Sequence, residues 1–241
     1  GDLRDRASLD AALVDVRSVF YMAPAFQPDE VELGLGMVAA AKRAGVRRFV
    51  FSSVIHPVLR TLTNHAAKAP VEEAVLSSGL EYVFLHPAVF FQNLARSFPE
   101  VVRTGVLAEP WSNDTRLSRV DYRDVAEVAA MALTDARLLY GTYELCAEGN
   151  LDRHDVAGLL GEVLGRPIEA RRAPPPTPSQ ERPTEAQNGV RKMAAWYDAH
   201  ALLGNPLTLR AILGREPRSL AAYLGELAAS RDAELERDTR A

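Results

Sequence analysis

The 241-residue chain predicts an α/β fold: a parallel sheet wound by helices, followed by a smaller, mostly helical lobe. Short apolar runs that read as strands alternate with helix-period segments on short connections, which is the pattern of parallel crossover units. Beyond about residue 150 the strand-like runs stop and helical spacing takes over. The expected division is 1–150 for the sheet domain and 151–229 for the helical lobe. Residues 94–111 would also contribute to that lobe, and 230–241 would form a charged tail.

Taken in order, Ser8 suits the cap of a short helix over 9–14, with Asp10 in its first turn. A strand over 16–21 stops at Met22-Ala23-Pro24. Pro28 opens a helix to about Ala44, with Val31, Leu35, Val38 and Ala39 on one stripe and Gly45 as its stop. The apolar strand Arg48-Phe49-Val50-Phe51 ends in Ser52-Ser53. After a loop through His56-Pro57, a helix over 64–74 leads to a strand over 81–85 that ends in His86-Pro87. A short helix over 91–98, a strand over 105–107 and a strand over 117–121 follow. The last feeds a helix over 122–133, where Asp121 and Asp124 suit capping. Next come a strand over 141–147 and a helix after Asp152 that carries Val156, Leu159, Leu160, Val163 and Leu164 on one face. The proline-rich run 173–178, with Pro183 after it, reads as an extended surface connector. Helices over 186–203, 207–213 and 219–229 complete the lobe, and 230–241 reads as frayed.

The totals exclude several functions. A composition 47% hydrophobic and 25% charged is that of an ordinary globular chain. No window approaches the roughly 20 apolar residues of a membrane span. A net charge of -4 gives no field for nucleic acid, and no basic amphipathic helix would hold a membrane surface. The single cysteine, Cys146, excludes an internal disulfide and reads as a buried inert thiol. A cytoplasmic location is the expectation, and no metal site is expected.

In parallel sheets ligands collect where the strands end, so chemistry is expected at Ser52-Ser53, Lys68 and His86-Pro87. The two serine hydroxyls either point into that crevice or satisfy loop amides. Asn64 and His65, four and three residues before Lys68, can share its helix face. His65 reads as a surface residue at the helix start.

Six segments occur here in one order: Gly1-Asp2-Leu3-Arg4-Asp5, Val19-Phe20-Tyr21-Met22-Ala23-Pro24, Gly45 through Ser53, Asn64-His65-Ala66-Ala67-Lys68, Leu85-His86-Pro87-Ala88 through Gln92-Asn93, and Gly204-Asn205-Pro206. Together, from residue 1 to about 213, they resemble the NmrA-like branch of the short-chain dehydrogenase/reductase superfamily. The resemblance implies a Rossmann-type sheet lacking its first strands, and NADP(H) or NAD(H) as cofactor. It implies either reduction of a small carbonyl, quinone or conjugated double bond, or a non-catalytic sensor acting through protein contacts. A small-molecule substrate is expected, and a homodimer or a protein partner is left open.

By the same resemblance Asp2 and Leu3 face the adenine, and Met22, Ala23 and Pro24 run along the ribose and pyrophosphate. Lys68 grips the nicotinamide ribose, with Ser52 and Ser53 beside it, while Pro87, Ala88 and Val89 flank the nicotinamide. Lys68 and Ser53 are the catalytic candidates. Phe90, Phe91 and Asn93 border the substrate, although both phenylalanines also suit a plain core.

Two departures from the family pattern stand out. Asn64 occupies the place of the superfamily's tyrosine, and an amide cannot protonate a forming alkoxide, which leaves His65 or Tyr82 as the open substitutes. The glycine-rich G-x-x-G-x-x-G turn that holds a pyrophosphate is absent from the sequence. The expectation is therefore either an N-terminally truncated chain or one whose gene lost its cofactor half, with impaired cofactor binding.

Overall fold

The computed structural model describes residues 1–174 and 184–240, with side chains placed through Arg231. The chain opens with α1 (Arg6–Ala12), β1 (Ser18–Met22), α2 (Glu30–Arg43), β2 (Arg48–Ser52), α3 (Thr63–Ala66), α4 (Ala69–Leu76) and β3 (Glu81–Pro87). It continues through β4 (Val89–Phe90), a 3-10 turn (Phe91–Arg96), α5 (Phe98–Thr104), β5 (Val106–Glu109), β6 (Leu117–Val120), α6 (Tyr122–Thr134) and β7 (Gly141–Leu145). The remaining elements are β8 (Asn150–Leu151), α7 (Arg153–Leu164), β9 (Glu169–Arg172), α8 (Glu185–His200), α9 (Leu207–Leu213) and α10 (Leu220–Arg240).

These elements form two units that interleave along the chain. The first comprises Gly1–Pro87, Val125–Leu145 and 184–193. It holds a four-stranded, all-parallel sheet in the order β1-β2-β3-β7. All five residues of β2 are buried, as expected of an inner parallel strand covered on both faces. The ladder aligns Met22 with Ser52 and Ser52 with Leu85, so these three strands reach one rim together. Beneath the sheet, α2 crosses α4 so closely that a Cβ on Gly34 would stand 2.3 Å from a methyl of Val71. Glycine at this position is what permits the approach.

The second unit comprises Ala88–Asp124, 146–174 and 194–240. Here β4 pairs parallel with β6, and β6 pairs antiparallel with β8. A separate ladder joins β5 to β9. The core gathers Phe91, Leu94, Phe98, Leu107, Val156, Leu160, Tyr223 and Leu224. The helix predicted after Asp152 is α7, started by a reciprocal capping box of Asp152 and Asp155.

Several local expectations are corrected. The cap of α1 is Asp5, whose carboxylate accepts from Ala7 N at 2.9 Å, and not Ser8. The single helix expected over 64–74 is two, α3 and α4, with Lys68 as the N-cap of the second. Pro70 is the reason: it has no N–H for the Ala66 carbonyl, and its ring would clash there, so a continuous helix cannot pass through it. The helix expected over 91–98 is a 3-10 turn followed by α5, with a proline in the first turn of α5. The predominantly charged β9 carries no apolar alternation and was not anticipated. Residues 230–240, expected to fray, continue α10. The proline-rich connector falls largely on 175–183, outside the described residues. No helix among the described residues is long and apolar enough to cross a membrane.

Candidate active site

Helices of a parallel crossover start just past the ends of the preceding strands, so their first turns face the rim where ligands collect. Glu30 is the first residue of α2, and Lys68 is the N-cap of α4. They meet with Lys68 Nζ 2.5 Å from Glu30 Oε1, at side-chain exposures of 7% and 3%. The N-terminal dipole of α2 favours the carboxylate, whereas that of α4 disfavours the ammonium, and burial penalises both charges unless they are paired. The other oxygen of Glu30 accepts from Phe26 N at 3.0 Å, fixing the loop after β1.

An ammonium carries three donors. Glu30 takes one, and no other hydrogen bond from Lys68 Nζ is present among the described residues. Nearby Tyr21 is buried, and its hydroxyl has no partner. Burial, and after it the negative field of Glu30, pushes that phenol up to about 12. It therefore stays protonated at neutral pH.

One helical turn past Lys68, Glu72 Oε1 accepts from Ser53 Oγ at 2.5 Å and lies 2.9 Å from His86 Nε2. Serine and histidine both engage the carboxylate, and no hydrogen bond joins the imidazole to the hydroxyl among the described residues, so the order is not that of a nucleophile-activating triad. The cluster instead ties the ends of β2 and β3 to α4. Ser53 Oγ commits its proton to Glu72 and keeps its lone pairs as acceptors.

His65 is fully buried, which overturns its expected surface position. Its Nδ1 lies 3.1 Å from the His56 carbonyl, and its Nε2 has no partner. Burial lowers its pKa from the ordinary histidine value. Asn64 Oδ1 is likewise buried and unpartnered.

The remaining candidates fall in several places. Met22 and Pro24 are exposed, Ala23 is buried, and Ser52 is buried at the end of β2. Asp2 is exposed and accepts from Arg4 N at 2.9 Å, while Leu3 packs against the first unit's core. Pro87 ends β3. In the second unit Ala88 is buried, Val89 and Phe90 are half-buried on β4, and Asn93 is exposed. Phe91 is a core residue, stacked on Tyr223 with ring centroids 6.0 Å apart. Asp121 caps α6 through Arg123 N at 2.8 Å, whereas Asp124 accepts from Arg218 N at 2.7 Å and from the Arg215 and Arg218 side chains. Cys146 is buried.

Sequence reasoning missed Glu30 and Glu72. Glu30 looks like any first-turn acid, and Glu72, four residues after Lys68, looks like an ordinary surface pair.

The NmrA-like family model matches residues 1–229. This chain belongs to the NmrA-like family. It is 28% identical over 237 residues to the NAD(P)H azoreductase of Xenophilus azovorans, covering 92% of this chain and 79% of that one. Further relatives are matched over only 59% and 58% of their own length. Among solved structures it resembles an NADPH-dependent quinone oxidoreductase of Escherichia coli complexed with NADPH, with TM-score 0.83 at 20% identity, covering 94% of this chain and 82% of that one. It also resembles NmrA, a negative transcriptional regulator, in complex with NAD, with TM-score 0.76 at 17% identity, covering 98% and 82%. The Rossmann-like parallel architecture is shared with these two solved structures.

Proposed function

We propose that this NmrA-like chain carries the nicotinamide side of an NAD(P)H-dependent oxidoreductase acting on a small carbonyl, quinone or conjugated double bond. The observation that carries this reading is the buried Lys68, held by Glu30 through one donor with two unclaimed. Two N–H groups on one nitrogen suit the vicinal hydroxyls of a ribose. A bound nicotinamide cofactor supplies a hydride.

In this reading Lys68 orients the ribose, and Ser52 and Ser53 offer oxygens at the strand end. Asp2, Leu3, Met22, Ala23 and Pro24 follow the adenosine side. Pro87, Ala88 and Val89 border the nicotinamide, while Phe90 and Asn93 face the acceptor. The packing of Phe91 in the core makes it a support for that wall. With Asn64 in the tyrosine's place, the acceptor takes the cofactor's hydride and draws the accompanying proton from solvent, which favours quinones and conjugated systems, whose reduced anions are delocalised, over simple ketones.

The residues present fit the sugar side of a dinucleotide. The pyrophosphate side differs, since no G-x-x-G-x-x-G turn occurs in the 241 residues. Reduced nicotinamide mononucleotide should therefore bind this chain within about tenfold of NADPH, a difference of ~1.4 kcal/mol. Fluorescence titration of both, with the neutral pair Glu30→Gln/Lys68→Met as control, checks this. Saturable binding that the control loses supports the reading, and equal binding by the control removes Lys68 from the site.

A non-catalytic sensor is the second reading, favoured by Asn64 and by the likeness to a regulator. Nucleotide binding with no oxidation of the cofactor across a panel of quinones, aldehydes and enones would select it.

A further inference from the structure

The second unit buries two guanidiniums beside one half-buried carboxylate, that of Glu109. Arg153, on α7, has a fully buried side chain and is fully engaged. It donates to Trp111 O at 2.8 Å, to Arg171 O at 3.1 Å, to the Asn113 side chain, and to Glu109 Oε2 at 3.4 Å. Arg119, on β6, is as deeply placed, with a side chain only 4% exposed. Its one ion-pair partner among the described residues is the same Glu109 oxygen, 3.7 Å from Nη2 and beyond hydrogen-bond reach, and the like charge of Arg153 also acts on it. Among the described residues its Nε has no partner, and its guanidinium donates no hydrogen bond.

This is an asymmetry with a physical cost. Arg153 and Glu109 already balance each other, so the cluster is neutral without Arg119. A guanidinium taken out of water without hydrogen bonds is penalised by several kcal/mol. Burial accordingly lowers the pKa of Arg119, against the opposing pull of Glu109. A stability role does not account for such a residue, whereas an anion arriving from outside would supply the missing acceptors.

The position says which anion. Arg119 pairs in register with Val89 across the β4–β6 ladder, so the two side chains share one face of that ladder. Val89 is a residue assigned above to the nicotinamide border. Tyr197 lies within the electrostatic reach of Arg119, and Trp111 packs edge-on against it with ring centroids 5.8 Å apart. Aromatic walls beside a fork of N–H donors match a planar ring bearing a carboxylate.

We propose that Arg119 anchors a carboxylate carried by the acceptor, so that the substrate class is a planar, anionic aromatic or quinonoid compound. This rests on the reductase reading for its use of the word substrate, but the site itself is testable without any nicotinamide. Tryptophan fluorescence of the full chain is titrated with benzoate, with benzenesulfonate, and with benzamide as the neutral isostere. Benzoate should saturate, and benzamide should bind at least about tenfold more weakly. Benzenesulfonate distinguishes a general oxyanion site from one shaped for carboxylate.

Arg119→Gln should lose about tenfold or more of the benzoate affinity, while Arg119→Lys retains part of it. The midpoint of thermal unfolding of Arg119→Gln should equal or exceed that of the wild-type chain. Absence of benzoate saturation, equal binding of benzamide, or unchanged affinity in Arg119→Gln overturns the proposal in favour of a buried water. So does an Arg119→Gln chain that fails to fold, because the cluster would then depend on Arg119. Since no cofactor is present, a failure here leaves the Lys68 reading standing, and a failure there leaves this site standing.

Discussion

Removing the Glu30 carboxylate leaves the Lys68 ammonium buried without its only counter-charge. Glu30→Ala should therefore cost ~3–5 kcal/mol in urea unfolding, whereas the neutral pair Glu30→Gln/Lys68→Met should recover most of that loss. A double-variant chain as unstable as Glu30→Ala would show that the charges are not what the site depends on. His65 makes a separate, pH-dependent contribution. Its folded-state pKa lies below the unfolded value near 6.5, so the unfolded chain binds the extra proton first as pH falls. Stability from this group is complete above about pH 6.5 and declines by up to ~1.4 kcal/mol per unit below it. Denaturation at pH 7 and pH 5 should show that slope flattened in His65→Leu.

Lys68 was singled out by its place after an apolar strand and by the family resemblance, since a helical lysine is otherwise an ordinary surface residue; its burial against Glu30 was not foreseen. Glu30, His65 and Arg119 were not, since burial of a polar side chain depends on what packs over it from distant segments. Arg119 left only a faint signal, a charge inside a strand whose four residues are all buried.

At the scale of elements, the contact between α2 and α4 depends on a missing side chain. Gly34→Ala would drive a methyl into Val71, a stiff β-branched residue that is 1% exposed. A destabilisation of ~1–3 kcal/mol is expected. Adding Val71→Ala should give back part of it, a coupling that a double-mutant cycle by chemical denaturation would read. Strands and helices were legible wherever apolar spacing was strong, as in β2 and α7. The break between α3 and α4 was written in Pro70, yet the apolar and alanine-rich spacing around it outweighed that signal. In β9 no pattern existed to find, because Glu169, Arg171 and Arg172 are exposed and the strand is held by its ladder with β5.

Across the whole molecule, the α/β class follows from the alternation along the chain, whereas the place of β7 beside β3 does not. Nor does the membership of the two units, because it depends on which segments return to which core. The outer strand β1 has its own consequence. Arg17 O faces β2, accepting from Arg48 N at 3.2 Å. By alternation the amides and carbonyls of Ser18, Phe20 and Met22 point away from β2. Among the described residues β1 pairs with β2 alone, and Phe20 and Met22 are 41% and 59% exposed. An uncharged, proline-free edge of this kind invites pairing with another chain. Sedimentation velocity should show concentration-dependent association that Phe20→Lys suppresses without changing the unfolding midpoint. Association unaffected by Phe20→Lys would place the contact elsewhere.

The interleaved path also governs how this protein can be rebuilt. The backbone leaves the four-stranded unit after Pro87, re-enters at Val125 and leaves again after Leu145. Transplanting the second unit from a relative would therefore need several coordinated grafts, since one junction would carry over only part of it. New specificity is reached more economically by exchanging single side chains on β4 and β6 than by shuffling modules.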